Sequence, residues 1–521
     1  MTWARRTCIL FLLGLAVLLS PGYRTQAQTN DDLRQRANQA MQARDYAAAR
    51  QAILRLVERE PSADNYNHLA TAEAAGGQVN LAITHLLKSI QLGNRTSSIY
   101  YNLGVLEIQE NQFDAAKVAF QHAVDLDPKY SPARFGLGTA LLSSGHPREA
   151  AEVMQKTLEQ TPPEERFWVL LVSAQFAAGD SKTALASTRT AVESFPEDAP
   201  LDVTLATTCL RYRAVQRARE LLEDASESMP NNPETALPLA KASLLAGEPI
   251  ESLAVLQGMA PAERKSTERL VLMGETRALL GDLKSAEDDL RLALNDAPRD
   301  PECLAAYAWL QNFQGHYEAA ITTLAKARSI LPRAPWVPYR MGVSYLFLGK
   351  LGQSENACQQ ALQLDPKYSP AYMVRGMVKI NEKHYRDATI DFTKAVDLAP
   401  DNPFYHRQLG IALYDSGKVA RAGEQFDLAL QGDPRDAASY YWRAKSLQAQ
   451  GEKEKAIADL NAVIGLEPDY AEAYTELARI YSETGQASRA AEVLAQQKKL
   501  GASSQPSGDD TLLRTLPDAT R

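Results

Sequence analysis

Large apolar and small residues recur along this chain with a period of 34 residues. We number each unit so that position 32 holds a proline, as it does in eleven of fourteen units. Large residues at positions 4, 7 and 11 share one helix face, and small residues at positions 8 and 20 let two helices approach closely. The units begin at residues 30, 63, 97, 131, 165, 199, 233, 267, 301, 335, 369, 403, 437 and 471. The pattern predicts fourteen helix–turn–helix units that bury their apolar faces only when stacked.

The boundary between units is clearest in the stretch LDPKYSPA, which occurs at Leu126–Ala133 and again at Leu364–Ala371. Proline lacks an N–H and disfavours helical angles in the residue before it, so the Asp-Pro dipeptide predicts a helix end. Ser131 and Pro132 predict an N-cap followed by proline at the first helical position. Position 15 is often glycine, which suits a turn between the two helices of a unit.

The unit that starts at residue 97 shows the full pattern. Its characteristic residues are Tyr100, Leu103, Gly104, Ala116, Phe120, Ala123 and Pro128. In these columns the chain resembles the tetratricopeptide repeat family, and the resemblance extends over residues 30–504. It implies an all-α fold, a right-handed superhelical α-solenoid of about 14 units. It also implies that the first helices line a concave groove, which in this family commonly binds peptides or other proteins.

The seventh unit, residues 233–266, departs from the pattern. It has Pro238 inside its first helix, and its second helix is predicted to end near Met259. We interpret it as a degenerate repeat and a possible hinge between two arrays. The arrays are residues 30–232, with repeats 1–6, and residues 267–504, with repeats 8–14. The alternative is an ordinary degenerate repeat without functional meaning.

The two ends of the chain differ from the repeats. Residues 1–27 combine early positive charge, an apolar segment at Ile9–Leu19 and small residues near Ala27, which is typical of a secretory signal peptide. A membrane anchor is the alternative, but a spanning helix needs roughly 20 apolar residues. We therefore expect an exported protein of bacterial type, in the periplasm or associated with the outer membrane. Residues 505–521 are predicted to be a disordered tail.

Composition argues against several classes of function. The formal net charge is −8, and no segment is strongly basic, so a nucleic-acid partner is not expected. Cys209, Cys303 and Cys358 are too widely spaced for a disulfide framework, and we expect them to be buried apolar residues. The histidines lack metal-binding spacing, and no phosphate loop or catalytic triad is present. We expect no catalytic residue, cofactor or metal ion.

The candidate binding residues lie at positions 2, 5, 9, 12 and 13 of the first helices, which the resemblance places on the concave face. In the C-terminal array these positions are unusually rich in large apolar and aromatic residues, which on a solvated face mark interaction sites. Packing of these side chains between adjacent units, as core, is the alternative interpretation. The candidates are Trp309, Asn312, Phe313, Trp336, Tyr339, Phe347, Met373, Met377, Phe404, Arg407, Tyr414 and Tyr441.

These features favour a non-enzymatic scaffold that binds a protein or peptide ligand in the groove. The alternative is a component of polysaccharide secretion or envelope assembly that contacts glycan through its aromatic residues. An enzyme is disfavoured, because no set of residues supports catalysis. The sequence defines neither the partner nor the oligomeric state.

Overall fold

The computed structural model describes residues 29–230, 232–259 and 266–499, and within them it forms fourteen pairs of α-helices. The two helices of every pair contact each other and are joined by a turn of three residues. No strand occurs in these three segments. The chain is therefore an all-α repeat protein, as predicted. The predicted signal peptide and C-terminal tail lie outside the described residues.

The chain divides into two compact units between Ser228 and Met229. The first unit contains repeats 1–6. Its helices are α1 (Asn30–Gln42), α2 (Tyr46–Arg59), α3 (Ala63–Ala75), α4 (Val79–Gln91), α5 (Ser97–Gln109), α6 (Phe113–Leu126), α7 (Ser131–Ser143), α8 (Pro147–Gln160), α9 (Glu165–Ala177), α10 (Ser181–Ser194), α11 (Ala199–Arg211) and α12 (Val215–Ser228).

The second unit contains repeats 7–14. Its helices are α13 (Pro233–Leu245), α14 (Pro249–Gly258), α15 (Thr267–Leu279), α16 (Leu283–Asp296), α17 (Pro301–Phe313), α18 (Tyr317–Ile330), α19 (Trp336–Phe347), α20 (Leu351–Leu364), α21 (Ser369–Asn381), α22 (Tyr385–Leu398), α23 (Pro403–Asp415), α24 (Val419–Gly432), α25 (Ala437–Ala449), α26 (Lys453–Leu466), α27 (Ala471–Glu483) and α28 (Ala487–Lys499). Odd-numbered helices are the first helices of their repeats.

The helix boundaries follow the sequence pattern closely. Thirteen of the fourteen first helices start at the predicted first residue of their unit, and α19 starts one residue late because Pro335 serves as its N-cap. In repeat 7, Pro238 lies inside α13, and α14 ends at Gly258 with Met259 as its cap. The hinge role of repeat 7 remains a prediction.

The turn inside each repeat requires a left-handed backbone at position 15. All fourteen residues there have positive φ, ten of them glycine, and the others are Arg44, Asn111, Arg213 and Lys383. In every repeat the N–H of position 16 donates to the carbonyl of position 11, as His316 does to Gln311 at 2.7 Å. This is the six-residue hydrogen bond that closes a Schellman C-cap. Glycine is favoured because other residues are strained in the left-handed region.

Small residues at positions 8 and 20 set the distance between the two helices. The alanine or serine at position 20 is buried in all fourteen repeats. At position 8, a Cβ added to Gly104 would lie 2.8 Å from the ring of Phe120, which is the residue at position 24. Gly410 has the same relation to Phe426. Position 8 therefore has no room for a methyl group where position 24 is phenylalanine.

Both copies of LDPKYSPA adopt the same conformation. Tyr130 has φ −73° and ψ 86°, and Tyr368 has φ −75° and ψ 87°. In both copies the aspartate side chain accepts a hydrogen bond from the lysine N–H two residues later, at 3.0 and 2.8 Å. The predicted N-cap is wrong, because Tyr130 caps α7 and Ser131 is its first helical residue. The Ser131 hydroxyl instead donates to Glu164 at 2.8 Å.

Cys209, Cys303 and Cys358 are buried and free, as expected. Burial raises the pKa of Cys209 to about 11 and that of Cys358 to about 12, so both remain protonated thiols near neutral pH. They contribute apolar packing.

Candidate functional site

The twelve predicted groove residues divide evenly by exposure. The buried residues are Trp309, Asn312, Trp336, Tyr339, Met373 and Arg407. The partly exposed residues are Phe313, Phe347, Met377, Phe404, Tyr414 and Tyr441. Only the second group presents surface to a partner in this structure, so exposure narrows the candidate site to half of its predicted members.

Trp309, Trp336 and Tyr339, which we call the tryptophan core, are only 1, 2 and 5% exposed. Trp309 packs in one apolar cluster with Val271 of α15, and the other two pack in a cluster that reaches Ala371 of α21. The prediction that these side chains meet solvent is wrong. They fill the space between successive first helices, because neighbouring first helices contact one another directly here.

Met373, Asn312 and Arg407 are also corrected to buried positions. Met373 packs against the core of repeats 11 and 12. The Oδ1 atom of Asn312 accepts a hydrogen bond from the Ser344 hydroxyl at 2.9 Å, which joins α17 to α19. The Arg407 guanidinium donates to Asp436 at 2.6 Å. Asn312 therefore connects two adjacent repeats, and Arg407 connects α23 to Asp436, the N-cap residue of α25.

Four of the partly exposed candidates lie against neighbouring side chains. Phe313 stacks on Trp309 with ring centroids 5.5 Å apart, and Phe347 stacks on Tyr317 at 5.7 Å. Phe404 lies beneath the Arg407 guanidinium, 5.1 Å from the centroid of its ring, and Met377 packs against the core. These residues form the edges of the core and do not gather into one site.

The last two candidates meet in a single cluster in repeats 12 and 13. We call Tyr414, Tyr441, Trp442, Lys445 and Tyr470 the aromatic–lysine cluster. Tyr414 is at the end of α23, the next three residues lie within α25, and Tyr470 immediately precedes α27. All five side chains are partly exposed. The helical spacing of Tyr441, Trp442 and Lys445 places them within one turn of helix.

The rings of the cluster make successive contacts. The Trp442 ring lies 5.6 Å from Tyr414 and 5.9 Å from Tyr441, and both pairs meet edge to face. Tyr441 also contacts Tyr470, with centroids 5.2 Å apart. Edge-to-face pairs at these distances are attractive because a positive ring edge meets a negative ring face. The contacts connect repeats 12 and 13 and hold the rings in defined positions.

The Lys445 ammonium lies among three of these rings. Its Nζ atom is 4.3 Å from the centroid of Trp442, 5.3 Å from Tyr414 and 5.7 Å from Tyr441. All three distances are within the range of a cation–π interaction. The cluster is therefore an aromatic surface that already holds a cation.

Carboxylates surround the cluster. The Arg479 guanidinium donates to Glu476 at 2.6 Å and to Glu483 at 2.8 Å, so two acidic groups neutralise it. Burial raises the pKa of Tyr441 to about 12, and the nearby charges of Glu476 and Glu472 add to the effect. Burial likewise raises the pKa of Tyr414. Both hydroxyls therefore stay protonated near neutral pH and can donate hydrogen bonds.

Sequence reasoning missed Trp442 and Tyr470. Trp442 is at position 6, outside the predicted concave positions, and Tyr470 is at position 34, in the connection between repeats. A signal for Tyr470 was present in LDPKYSPA, whose tyrosine occupies the same position. Tyr130 lies 5.4 Å from Tyr101, and Tyr368 lies 5.6 Å from Tyr339, which repeats the pairing of positions 34 and 5.

Across residues 29–230, 232–259 and 266–499, no group of three or more His, Cys, Asp or Glu side chains is arranged to hold a metal ion. Within those segments, no helix has both the length and the apolar character of a membrane span.

The fold and its turn geometry define an all-α repeat solenoid. Three family models described as tetratricopeptide repeat match the chain and together cover more than half of it. The matched segments are residues 34–95, 107–173, 339–368, 376–437 and 447–505. The chain belongs to the tetratricopeptide repeat family, whose repeats are typical of protein-interaction scaffolds.

Curated relatives match parts of the chain. RNA polymerase II-associated protein 3 of Rattus norvegicus is 33% identical over 89 residues, which cover 17% of this chain and 14% of the relative. DnaJ homolog subfamily C member 7 homolog of Dictyostelium discoideum is 28% identical over 98 residues, 18% of each chain. Cellulose synthase operon protein C of Pseudomonas fluorescens is 24% identical over 426 residues, 75% of this chain and 33% of the relative. Each match therefore spans a third or less of the relative's length.

Solved structures are similar over different lengths. The crystal structure of the APC/C hetero-tetramer Cut9-Hcn1 aligns with a TM-score of 0.44 and 14% identity, covering 87% of this chain and 97% of the other. The crystal structure of MamA aligns with a TM-score of 0.30 and 20% identity, covering 31% and 98%.

Proposed function

We propose that the protein is a non-enzymatic scaffold that binds a peptide segment of a protein partner through the aromatic–lysine cluster. The observation that carries the proposal is the partial exposure of five contacting side chains on and beside the first helices of repeats 12 and 13. Rigid aromatic residues are the usual anchors of protein interfaces, because they bury a large area with little loss of conformational freedom.

The location we propose is a bacterial cell envelope, in the periplasm or at the outer membrane. It is supported by the signal-peptide pattern of residues 1–27. It is also supported by the similarity to cellulose synthase operon protein C of Pseudomonas fluorescens, which extends over 75% of this chain. Fractionation of cells that express the tagged chain tests the location, and a purely cytoplasmic signal would contradict it.

The binding proposal is tested by a crosslinking pull-down from envelope extract with two versions of the chain. One carries Tyr414→Ala, Tyr441→Ala and Trp442→Ala, and the other carries Tyr385→Ala, a partly exposed tyrosine of α22 outside the cluster. We expect the triple variant to lose partners that the wild type and the control retain. Circular dichroism must show that both variants keep their helical content. Equal recovery by all three proteins would refute a role for the cluster.

A glycan ligand is the second candidate, favoured by the name of the Pseudomonas fluorescens relative and by the exposed rings, which can stack on sugars. Isothermal titration calorimetry of the full chain with cellohexaose distinguishes a glycan ligand from a peptide ligand. Saturable binding that the triple variant loses would favour the glycan. Absence of heat at millimolar cellohexaose would favour the peptide.

A further inference from the structure

We infer that the aromatic–lysine cluster is a cation-binding cage that the chain itself occupies with Lys445, and that a partner enters it by inserting a lysine or arginine side chain. This inference rests on the proposed peptide-binding function and adds the chemistry of the partner. It commits to a basic peptide segment as the occupant.

The cage is built from two repeats. Tyr414 comes from α23, and Tyr441 and Trp442 come from α25, so the three ring faces converge on one position only when the repeats are stacked. The Lys445 Nζ atom lies 4.3 to 5.7 Å from all three centroids. A single lysine beside one ring is a common surface contact, whereas three rings around one ammonium form a site with a preference for cations.

The charge around the cage favours a second cation over an anion. Four carboxylates, those of Asp415, Glu472, Glu476 and Glu483, lie on α23 and α27, and three cations, Lys445, Lys453 and Arg479, lie near them. Arg479 already pairs with Glu476 and Glu483, and Lys453 pairs with Glu483 at 3.1 Å, which leaves Asp415 and Glu472 as the carboxylates without an ion pair among the described residues. An acidic peptide would meet this rim with like charge, whereas a basic peptide would meet opposite charge.

Two of these carboxylates have unused capacity. Asp415 and Glu472 accept no hydrogen bond from the residues that the structure describes, although both lie close enough to influence the tyrosines of the cage. Arginine suits this arrangement best, because its planar group stacks on aromatic faces and still presents donors at its edge.

Lys445 can leave the cage without losing all favourable contact. Its side chain is partly exposed and carries a flexible four-carbon stem, and the Asp415 carboxylate on the preceding first helix interacts with its charge. Displacement therefore exchanges one cation for another on the same rings. The resident lysine weakens partner binding by competing for the site, and its removal should strengthen binding.

The test begins with selection of a displayed random dodecapeptide library on the immobilised full chain. We expect the selected peptides to be enriched in Lys and Arg and to lose binding to a Tyr414→Ala, Tyr441→Ala variant. Selection of Asp- and Glu-rich peptides that depend on the same tyrosines would overturn the cation cage and leave the proposed function standing. If the selected peptides bind the Tyr414→Ala, Tyr441→Ala variant as well as the wild type, the proposed function would be overturned as well.

The self-occupied state is tested with a selected basic peptide and fluorescence anisotropy. Lys445→Met removes the resident cation with little change in side-chain volume, and we expect the peptide to bind about tenfold more tightly. Lys455→Met, which alters a lysine of α26 that is 70% exposed, is the matched control and should change nothing. Weaker or unchanged binding to Lys445→Met would overturn self-occupation.

Discussion

The tryptophan core of repeats 9 and 10 and the aromatic–lysine cluster of repeats 12 and 13 use aromatic residues at similar repeat positions with opposite results. Trp309, at position 9, is 1% exposed, whereas Lys445, at the same position four repeats later, is partly exposed. Tyr339 is buried at position 5, and Tyr441 is partly exposed at position 5. Position in the repeat therefore decides which direction a side chain takes, but its neighbours decide whether it meets solvent.

The difference has a physical cause in the surrounding residues. In the tryptophan core, large apolar side chains from successive first helices fill one another's space and exclude water. The aromatic–lysine cluster contains one ammonium and three tyrosine hydroxyls, and several carboxylates lie nearby. These polar groups need water or hydrogen-bond partners. An aromatic stripe in a repeat protein becomes core or surface according to the polarity of the next repeat's residues.

Truncating one residue from each region gives the largest expected contrast. Trp309→Ala should destabilise the second unit by about 3–5 kcal/mol, since it removes a fully buried ring. Trp442→Ala should cost less than half as much, because its ring is already partly solvated. Urea unfolding followed by far-UV circular dichroism measures both. Equal losses in the free energy of unfolding would show that the cluster is part of the core, and that the two regions do not differ.

Overpacking the helix that carries Tyr414 should give the second-largest change in stability. Gly410→Ala on α23 forces a methyl group against the Phe426 ring, at an expected cost of about 1–3 kcal/mol, and shifts the helix that carries Tyr414. Gly423→Ala on α24 is the matched control, because the nearest atom to the added Cβ is 3.8 Å away. The control should gain about 0.5–1 kcal/mol from helix propensity. A neutral Gly410→Ala would refute the packing argument.

Two buried glutamates at position 11 also differ because of their neighbours: one carboxylate has hydrogen-bond partners and the other has an oxygen atom without one. Glu73 pairs with Arg50 at 2.9 Å and His85 at 2.6 Å, whereas the buried Oε2 atom of Glu107 has no hydrogen-bond partner among the described residues. Burial raises the pKa of Glu107 from 4.5 to about 7. The folded state therefore loses stability as pH rises from about 4.5 to about 7, and the loss is complete above that window.

Glu107→Gln tests this assignment. Above pH 7 the variant should be more stable than the wild type by about 1–3 kcal/mol, and below pH 4 the two should be equal, because both carry a neutral side chain there. Denaturation midpoints measured across this pH range report the difference. A constant difference at every pH would show that ionisation of Glu107 plays no part.

The smallest effect should be independent of which region it lies in. Gly315→Ala, in the turn of the tryptophan core, and Gly417→Ala, in the turn that follows Tyr414, should each cost about 1 kcal/mol because φ is positive at both. Lys383→Gly, at the same turn position in repeat 11, should gain a similar amount. Thermal melts measure both changes in stability. Unequal destabilisation at the two glycines would show that packing against other residues, and not only positive φ, determines the effect of the substitution.

The repeat frame could be predicted from the sequence because it depends on local chemistry. Proline at position 32, glycine at position 15 and small residues at positions 8 and 20 each act within one unit, so their spacing alone located thirteen of the fourteen first helices. The late start of α19 depends on Pro335, which the pattern alone did not place as a cap.

The site was less predictable because exposure depends on contacts between units. The sequence placed Trp309, Trp336 and Tyr441 at equivalent surface-directed positions, but it could not show that the first two fill gaps between first helices. It also missed Trp442, because no position rule indicates that Lys445, Tyr441 of the same helix and Tyr414 of the preceding repeat converge on it. Such convergence arises from the stacking of adjacent repeats, and the residue spacing within one repeat does not reveal it.

The identical geometry of the two LDPKYSPA segments has a consequence for how the length of this chain can change. The copies share backbone angles, hydrogen bonds and register, and they are 238 residues apart, which is seven whole units. Joining Ala133 directly to Tyr372 would thus yield a shorter chain of seven repeats with no frame error at the splice. Recombination between the two LDPKYSPA segments can therefore shorten or lengthen the array by whole repeats.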